Sequence, residues 1–256
     1  MTYKMNNFLK NGFSIVDVLA KEEHQMISKT IKRVLNERLS ALTNDEIYLN
    51  NLKDYHNLPL TEDIHNKVVG SSFRRIDFKD FYACIKNNSS INKIMNESWG
   101  HNEFRLFFIG NLKEFDTKEN YSSFRLARPN ISRDVGGIHV DKHAGGIKNI
   151  ADKNLLIIWI PIVGFSQEYT LNFAPGSHKY DHPESSIEED NRYISMTYDD
   201  NYTDKFKYHR PKLNLGQGII FDPNLLHGKS YNLGLDTRVS IELRLFNAKK
   251  NFSFYN

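Results

Sequence analysis

The strictest alternation of apolar and polar positions along the chain lies in residues 237–246. Its apolar positions are Val239, Ile241, Leu243 and Leu245, and the positions between them are Arg238, Ser240, Glu242, Arg244 and Phe246. Successive side chains of a β-strand point to opposite faces, so the pattern predicts a strand with one apolar and one largely polar face. Buried charges need partners, so the polar face is expected to line a pocket. Alternation alone also fits a polar face that is open to water.

The remaining apolar patterns divide the chain into a helical first part and a strand-rich second part. Helical spacing predicts helices over residues 20–39 and about 78–99, whereas residues 40–75 are polar and give no clear element. Strands are predicted at residues 13–18, 104–109, 122–127, 138–141, 154–161, 170–174, 212–221 and 237–246. Helices followed by irregularly spaced strands predict an α+β, mainly β chain whose second part is a β-sandwich or jelly roll.

Composition excludes several classes of function. The 256 residues suit one domain, and 34 basic against 31 acidic side chains are too balanced to indicate a nucleic-acid partner. A single cysteine, Cys84, rules out a disulfide framework. The N-terminus lacks a signal-peptide pattern, and the longest apolar run, Leu155–Val163, is too short to span a bilayer. A cytoplasmic protein that acts on a small molecule, with no membrane partner, is expected.

Three short motifs pair a histidine with an acid two residues later, as metal sites often do. They are His101-Asn102-Glu103, His139-Val140-Asp141 and His182-Pro183-Glu184. Ten histidines and 31 acids among 256 residues give about one such match by chance, so context must separate them. Only the second follows a glycine pair, has β-branched neighbours and precedes a strongly apolar strand. Pro183 interrupts strand geometry in the third.

The second motif combines with two later residues into a metal-site pattern. Residues i and i+2 of a strand point the same way, so His139 and Asp141 can bind one ion, with His227 as a third ligand. Two imidazoles and a carboxylate can occupy one face of an Fe(II) octahedron and leave three positions for a chelating cosubstrate and O2. Arg238 offers a planar fork that matches a carboxylate. Each residue alone is more commonly structural; together they predict an Fe(II)- and 2-oxoglutarate-dependent oxygenase.

Four further side chains are candidates for contact with a substrate. His143 lies two residues past Asp141, so strand periodicity places it towards the same cavity. Arg125 and Arg128, on or just after a predicted strand, can hold an anionic group, although structural ion pairing is the commoner role. Trp159 is a candidate as well, but an aromatic side chain of this size is more often buried in the core.

The polar segment 181–210, rich in acids and tyrosines, interrupts the predicted strands. One interpretation is that the segment is a solvent-exposed loop, a solvated excursion from the fold. The other is a lid or a substrate-contacting insert, because long loops inside compact domains are often functional.

Several stretches together resemble the phytanoyl-CoA dioxygenase family of Fe(II)/2-oxoglutarate oxygenases. They are Phe8-Leu9-Lys10-Asn11-Gly12-Phe13 with Val18-Leu19, His139-x-Asp141, Trp159-Ile160-Pro161, Pro175-Gly176-Ser177-His178, Gly216–Phe221, His227-Gly228, Asn232 and Arg238-Val239-Ser240. The resemblance covers nearly the whole chain and implies a double-stranded β-helix (a cupin-like jelly roll) supported by N-terminal helices. A single domain over residues 1–256 follows, with helical support in 1–100 and the jelly roll, including the polar insert, in 101–250.

The resemblance also implies roles for individual residues. His139, Asp141 and His227 would bind Fe(II), and Arg238 would hold the far carboxylate of 2-oxoglutarate, with Ser240 as a further candidate contact. The implied reaction uses O2, hydroxylates a small polar metabolite or sugar-derived biosynthetic intermediate, and releases succinate and CO2. Asp141 keeps a carboxylate where related halogenases have glycine or alanine, so halogenation is disfavoured. Tyr169-Thr170 before Leu171, and Gly216-Gln217, depart from the common family pattern.

Two other functions fit parts of the pattern. A non-catalytic β-sandwich ligand-binding module would explain the strands but leave the order of the four residues to coincidence. A zinc-type hydrolase would use the same three ligands, but it gives no reason for Arg238.

Overall fold

The computed structural model describes residues 8–44, 46–69, 75–77, 85–107, 121–143, 147–148, 154–166, 169–183, 186–190, 193–249 and 253–254. The helices are α1 (Lys21–Thr43), α2 (Glu62–Val69), α3 (Ser89–Trp99) and α4 (Asp200–Thr203). The strands are β1 (Phe13–Asp17), β2 (Arg75–Asp77), β3 (Phe104–Phe107), β4 (Tyr121–Ala127), β5 (Ile147–Lys148), β6 (Leu155–Val163), β7 (Ser186–Asp190), β8 (Tyr193–Thr197), β9 (Gln217–Phe221), β10 (Arg238–Asn247) and β11 (Ser253–Phe254). Short 3-10 helices lie at Leu52–Asn57, Ser132–Asp134, Asp141–His143 and Ser177–Lys179.

Seven strands of the described residues form one antiparallel sheet. Its order is β1-β9-β6-β10-β4-β2, and β3 pairs with β10 beyond β4 along the same strand. The strands β7 and β8 form a separate hairpin, as do the short strands β5 and β11. The predicted mainly β architecture is therefore confirmed at the level of an antiparallel sheet, with strands from both halves of the chain.

The helices cover one face of this sheet. On α1, Ile27, Ile31 and Leu35 are fully buried and belong to one apolar cluster with the odd-numbered side chains of β10. Burying an aliphatic side chain of this size contributes about 1.5–3 kcal/mol, so the spacing of these residues determines which face of α1 meets the sheet. The helix begins where the Glu23 carboxylate accepts a hydrogen bond from the Ala20 amide, and a left-handed residue follows its last turn.

The opposite face of the sheet carries a second apolar cluster. It contains Leu155, Ile157 and Trp159 of β6, and residues of β9, together with Phe173. Isolated antiparallel bridges join His139 to His227, and join Phe173 to both His227 and His209. These extended segments lie over the second cluster, as a second layer opposite the helices.

Several predicted elements differ in detail from the structure. The helix predicted over 20–39 extends to Thr43, and α2 lies in a region that gave no prediction. The strands predicted at 138–141 and 170–174 are single bridges, because the backbone turns at once into the 3-10 helices that follow. The strand predicted over 212–221 begins only at Gln217. The part of the second predicted helix over 78–84 lies outside the described residues.

The segment 181–210 has structure of its own. It contributes the β7–β8 hairpin and α4, and Tyr198 is buried in a third apolar cluster with Ile138 and Val140. The amide of Tyr198 also donates a 2.9 Å hydrogen bond to the Ile138 carbonyl. The interpretation as a solvated excursion is therefore wrong for this part of the segment, which packs against the residues on either side of His139.

The longest apolar run of the sequence, Leu155–Val163, is the central strand β6 and is buried almost throughout. Among the helices of the described residues, none combines the length and the apolar character that crossing a bilayer requires.

Candidate metal centre

The backbones of the two candidate histidine ligands are paired directly with each other. The His139 amide donates to the His227 carbonyl at 2.8 Å, and the His227 amide donates back at 3.0 Å. Two residues that exchange both hydrogen bonds in an antiparallel pair carry side chains on the same face. The two imidazole rings accordingly lie with centroids 4.3 Å apart. This pairing explains how two side chains far apart in sequence come to lie next to each other.

Asp141 completes a group of three. One potential ligand atom from each of His139, Asp141 and His227 lies within 4.8 Å of the other two. Asp141 Oδ2 is 3.3 Å from His227 Nε2, and the exposed fraction of both side chains is below 5 %. The expected convergence of these three side chains is present. Asp141 begins a 3-10 helix rather than continuing a strand, so the turn of the backbone, not strand alternation, brings its carboxylate to the two rings.

Hydrogen bonds to backbone carbonyls determine which ring nitrogen each histidine offers. His139 Nδ1 lies 2.9 Å from the Gly137 carbonyl oxygen, and His227 Nδ1 lies 2.9 Å from that of Leu225. A carbonyl oxygen only accepts, so Nδ1 must carry the proton in both rings. Nε2 is then the free lone pair on each, and the ring orientation is fixed as it is in many metal sites.

The donor set fits a cation. In the part of the chain that the structure describes, Asp141 Oδ2 is buried and has no hydrogen-bond donor. His227 Nε2, 3.3 Å away, is itself an acceptor in this tautomer. Two buried acceptors that face each other are costly unless a cation lies between them. Two imidazole nitrogens and one carboxylate oxygen suit Fe(II), and they also suit zinc.

The surroundings of His139 and Asp141 keep these two residues in the protonation state that metal binding needs. Burial, with His227 nearby, lowers the pKa of His139 to about 4, so its ring is neutral near pH 7. Burial alone would raise the pKa of Asp141, but the Arg244 guanidinium holds it well below the ordinary value. The carboxylate is therefore ionised.

Arg244 and Glu242 were not assigned a role from the sequence. Arg244 Nη2 lies 2.7 Å from Asp141 Oδ1 and 2.9 Å from Glu242 Oε1. Arg125 Nε lies 3.3 Å from Glu242 Oε2. The alternation along β10 did place Arg244 and Glu242 on the polar face. It could not predict that Asp141 pairs with Arg244, because only the fold brings these two residues together.

Arg238 lies on that same face of β10, and its exposed fraction is only 6 %. Its guanidinium donates to the Tyr169 carbonyl oxygen, and no carboxylate of the described residues pairs with it. Burial, together with Arg210 and Arg125 nearby, lowers the pKa of Arg238 to about 10. A buried guanidinium that has no carboxylate partner among the described residues can accept a carboxylate ligand.

Ser240 is also buried, two residues along the strand from Arg238. The predicted polar face of β10 is thus buried rather than open to water, and the apolar face packs on the helices.

Two of the four candidate substrate contacts lie near the centre. Arg125, on β4, is opposite Ser240 in the register with β10, and 42 % of its side chain is exposed. Trp159, on β6, is opposite Glu242 and is almost fully buried in the second apolar cluster. Of the two, Arg125 is therefore the side chain that a bound molecule can reach.

The other two candidates have different surroundings. Arg128 forms ion pairs with Asp134 and Glu62, with its Nη2 2.8 Å from Asp134 Oδ1 and 3.0 Å from Glu62 Oε1. Its charge is thus satisfied by the fold. His143 lies on the 3-10 helix Asp141–His143, so the strand periodicity on which its prediction rested does not apply. The side chain of His143 is outside the described part of the structure.

The third histidine–acid motif does not form a site in the described residues. His182 is buried, and its Nε2 lies within hydrogen-bond distance of the Ser177 and Asn224 carbonyl oxygens. Its Nδ1 lies 2.7 Å from the Tyr202 hydroxyl. Both ring nitrogens are therefore used inside the protein, as expected for a structural histidine.

No protein-family profile matches the sequence, and no curated protein is significantly similar to it. Solved structures are similar in fold. The non-heme alpha ketoglutarate dependent carbocyclase SnoK from nogalamycin biosynthesis superposes with a TM-score of 0.61 at 11 % identity, covering 100 % of this chain and 86 % of that one. The epimerase SnoN in complex with Fe3+, alpha ketoglutarate and nogalamycin RO gives 0.57 at 14 %, covering 99 % and 85 %.

A third structure, EctD from S. alaskensis with 2-oxoglutarate and 5-hydroxyectoine, gives a TM-score of 0.56 at 13 % identity, covering 99 % of this chain and 78 % of that one. Identities this low establish the fold alone. The chain has the fold of the non-heme iron, 2-oxoglutarate-dependent enzymes.

Proposed function

We propose that this chain is an Fe(II)- and 2-oxoglutarate-dependent dioxygenase that hydroxylates a small, polar metabolite or sugar-derived biosynthetic intermediate. The balanced reaction consumes the substrate, 2-oxoglutarate and O2, and yields the hydroxylated product, succinate and CO2. We further propose that the two layers form a double-stranded β-helix, that residues 1–256 are one domain, and that the chain is a member of the phytanoyl-CoA dioxygenase family.

One observation carries the proposal. The triad of His139 with the buried Asp141 and His227 has acceptor atoms that face one another, and the same side of the sheet holds Arg238 without a carboxylate partner among the described residues. The facing acceptor atoms of the triad would be stabilised by a cation, and the guanidinium of Arg238 would be stabilised by an anion. An iron ion chelated by a dicarboxylate supplies both.

The residues divide the work as follows. His139 and His227 would bind the metal through Nε2, and Asp141 would bind it through Oδ2. Arg238 would take the distal carboxylate of 2-oxoglutarate through its guanidinium fork, with Ser240 as a further donor. When bound, Fe(II) with 2-oxoglutarate and O2 supplies the oxidising power needed to functionalise a C–H bond.

Apolar residues around the metal centre would exclude water from it. Phe173 and Phe221 pack against the His227 ring, with centroids 6.0 and 4.9 Å from it. An apolar wall on one side of the centre leaves the substrate to approach from the side of Arg125. A low dielectric also strengthens the ion pairs of the carboxylates described above.

The outcome of the oxidation is the finer part of the proposal. Among the similar structures, SnoK is described as a carbocyclase and SnoN as an epimerase, whereas EctD was solved with a hydroxylated molecule. We favour hydroxylation because it needs no residue beyond those at the centre. A zinc hydrolase would use the same three ligands but leaves the buried Arg238 without a function, and a binding module leaves the buried triad unexplained.

The test is anaerobic addition of Fe(II) and 2-oxoglutarate to the full chain, followed by O2. We expect the visible charge-transfer absorption of an Fe(II)–2-oxoglutarate chelate, then succinate, with succinate formation stimulated by a substrate in a metabolite screen. His139→Ala should abolish both the absorption and succinate formation. A His139→Ala protein that keeps full activity would falsify the proposal, and activity with Zn(II) but not Fe(II) would favour the hydrolase.

A further inference from the structure

We propose that Arg244 is a positioning residue that makes Asp141 bind the metal through one oxygen only, and so keeps a coordination position open. This inference rests on the proposed function, because it concerns the same metal centre. It assigns a role to a residue that is neither a ligand nor a cosubstrate contact.

The two oxygens of the Asp141 carboxylate have different surroundings. Oδ1 lies 2.7 Å from Arg244 Nη2, the distance of a charge-assisted hydrogen bond. Oδ2 is buried, has no donor among the described residues and lies 3.3 Å from His227 Nε2. A cation that approaches the triad therefore meets one free oxygen and one that already carries a positive partner. Repulsion from the guanidinium opposes a second metal bond at Oδ1.

Coordination arithmetic gives this difference a consequence. A six-coordinate ion held by two imidazoles and one carboxylate oxygen has three free positions. If both carboxylate oxygens bind, two positions remain, and a chelating 2-oxoglutarate fills them. The position for O2 exists only with one-oxygen binding. Arg244 would thus act on the reaction without touching substrate or cosubstrate.

Arg244 is itself held in place. Glu242 Oε1 lies 2.9 Å from the same Nη2 that contacts Asp141, and Glu242 Oε2 lies 3.3 Å from Arg125 Nε. The exposed fractions of the Glu242 and Arg244 side chains are 9 % and 11 %. Both residues project from β10, which pairs with β4 on one side and with β6 on the other. A buried guanidinium between two carboxylates on a central strand has little freedom to turn away from Asp141.

A purely structural ion pair is the alternative, and the two roles predict different results. A structural role predicts that losing Arg244 lowers stability and weakens every metal-dependent signal together. The positioning role predicts that the metal still binds, that the Asp141 carboxylate changes its mode of binding, and that the third position is lost.

The experiment compares the full-length wild type with Arg244→Met and Arg244→Lys. Infrared difference spectra of Co(II)-loaded minus metal-free protein, with isotope-labelled aspartate, report the separation of the carboxylate stretching bands. That separation is wide for one-oxygen and narrow for two-oxygen binding. Nitric oxide added to the anaerobic Fe(II)–2-oxoglutarate complex then probes the third position by electron paramagnetic resonance.

We expect wide band separation and nitric oxide binding in the wild type. Arg244→Met should bind Co(II) and show a narrow separation of the carboxylate stretching bands. Its affinity for nitric oxide should fall about tenfold or more, which is the usual effect of removing a residue that contacts a metal ligand. Arg244→Lys keeps the charge and should restore most of the wild-type behaviour. If Arg244→Met fails to fold, the double variant Arg244→Met/Glu242→Gln, which also removes the buried charge of Glu242 that Arg244 had partly neutralised, carries the same expectation.

Arg128→Met is the matched control, because it also breaks a buried ion pair but one that does not contact the triad. It should lower stability and leave both spectra unchanged. The proposal is overturned if Arg244→Met, or the double variant, keeps wide separation and wild-type nitric oxide affinity. It also falls if the wild type binds no Co(II) through His139, and that result would remove the proposed function with it.

Discussion

A Cβ atom placed on Gly228 would lie 2.1 Å from the carbonyl oxygen of Gly137. Each of these glycines is within two residues of a histidine of the triad, Gly228 after His227 and Gly137 before His139. The backbone at Gly228 also has a positive φ of 127°, which side chains other than hydrogen rarely allow. The close contact of two glycine backbones is what permits the two imidazoles to lie side by side.

We therefore expect Gly228→Ala to push the two segments apart. The clash is with backbone and the φ value is unfavourable, so the free energy of unfolding should fall by about 1–3 kcal/mol, the usual cost of such strain. Co(II) affinity should fall as well. Chemical unfolding and Co(II) titration measure the two effects.

Gly100→Ala is the matched control for that substitution. Gly100 also has a positive φ, 78°, but a Cβ there meets nothing within 4 Å. It should cost about 1 kcal/mol of stability and leave Co(II) affinity unchanged. Equal Co(II) affinity in both alanine variants would show that the glycine contact does not position the ligands.

Arg238→Lys should weaken 2-oxoglutarate binding while leaving the metal ligands in place. Lysine keeps the charge but loses the planar fork, and one charge-assisted hydrogen bond contributes about 1.5–3 kcal/mol. At 1.4 kcal/mol per tenfold, the dissociation constant for 2-oxoglutarate should rise about 10- to 100-fold. Calorimetric titration of the Co(II)-loaded protein measures it. Wild-type affinity in Arg238→Lys would mean that another residue binds the distal carboxylate.

The ion-pair network around Arg128 predicts how stability depends on pH. Burial alone would raise the pKa of Asp134, but hydrogen bonds from Arg128 and His65 hold it far below its ordinary value. A carboxyl whose folded pKa is depressed stabilises the fold above its unfolded pKa, about 4, and this contribution is lost as pH falls below that value. Glu62, hydrogen-bonded to Arg128, shifts in the same direction.

Asp134→Asn should consequently lower the free energy of unfolding by about 3 kcal/mol at pH 7, since it breaks a buried pair. The difference from wild type should shrink as pH falls below about 4. Asp63→Asn is the control, because Asp63 pairs with Lys67 on the exposed side of α2 and should change stability by less than about 0.5 kcal/mol. A difference for Asp134→Asn that stays constant from pH 7 to pH 3 would contradict the prediction.

The packing of Tyr198 predicts that the polar insert supports the metal centre. Its buried ring contacts the cluster that contains Ile138 and Val140, and its hydroxyl donates 2.8 Å to the Pro183 carbonyl. Tyr198→Ala should cost about 3–5 kcal/mol of stability and lower Co(II) affinity. Tyr198→Phe should cost about 1 kcal/mol.

Tyr180→Ala, at a side chain that is 60 % exposed and directly precedes the insert, should change neither quantity. If Tyr198→Ala loses stability but keeps wild-type Co(II) affinity, the insert stabilises the fold without positioning the ligands.

The pattern of apolar and polar residues, together with short sequence motifs, was enough to predict parts of this structure. Alternation along β10 predicted its faces correctly, because one face of the strand packs on the helices while the other carries the charged and polar side chains. The histidine–acid motif with His227 predicted the triad, since metal ligands need particular atoms more than particular backbones. The strand predicted at residues 154–161 corresponds to β6, Leu155–Val163.

Tertiary contacts explain what pattern did not predict. The helix α2 is eight residues long and mostly polar, and its His65 is buried against Tyr55 and Asp134 from elsewhere in the chain. The 3-10 turn at Asp141 depends on partners such as Pro223, whose carbonyl accepts from the Lys142 amide. The pairing of Arg244 with Asp141 joins residues that no local periodicity relates.

Strand β10 bears, on one backbone, both the apolar side chains that meet α1 and the arginines next to the candidate centre. A substitution in the helix layer that displaces the strand as a rigid body would carry Arg238 and Arg244 along together and preserve the spacing between them. The effect of such a core substitution at the candidate centre would therefore be a shift of both guanidinium groups by the same amount.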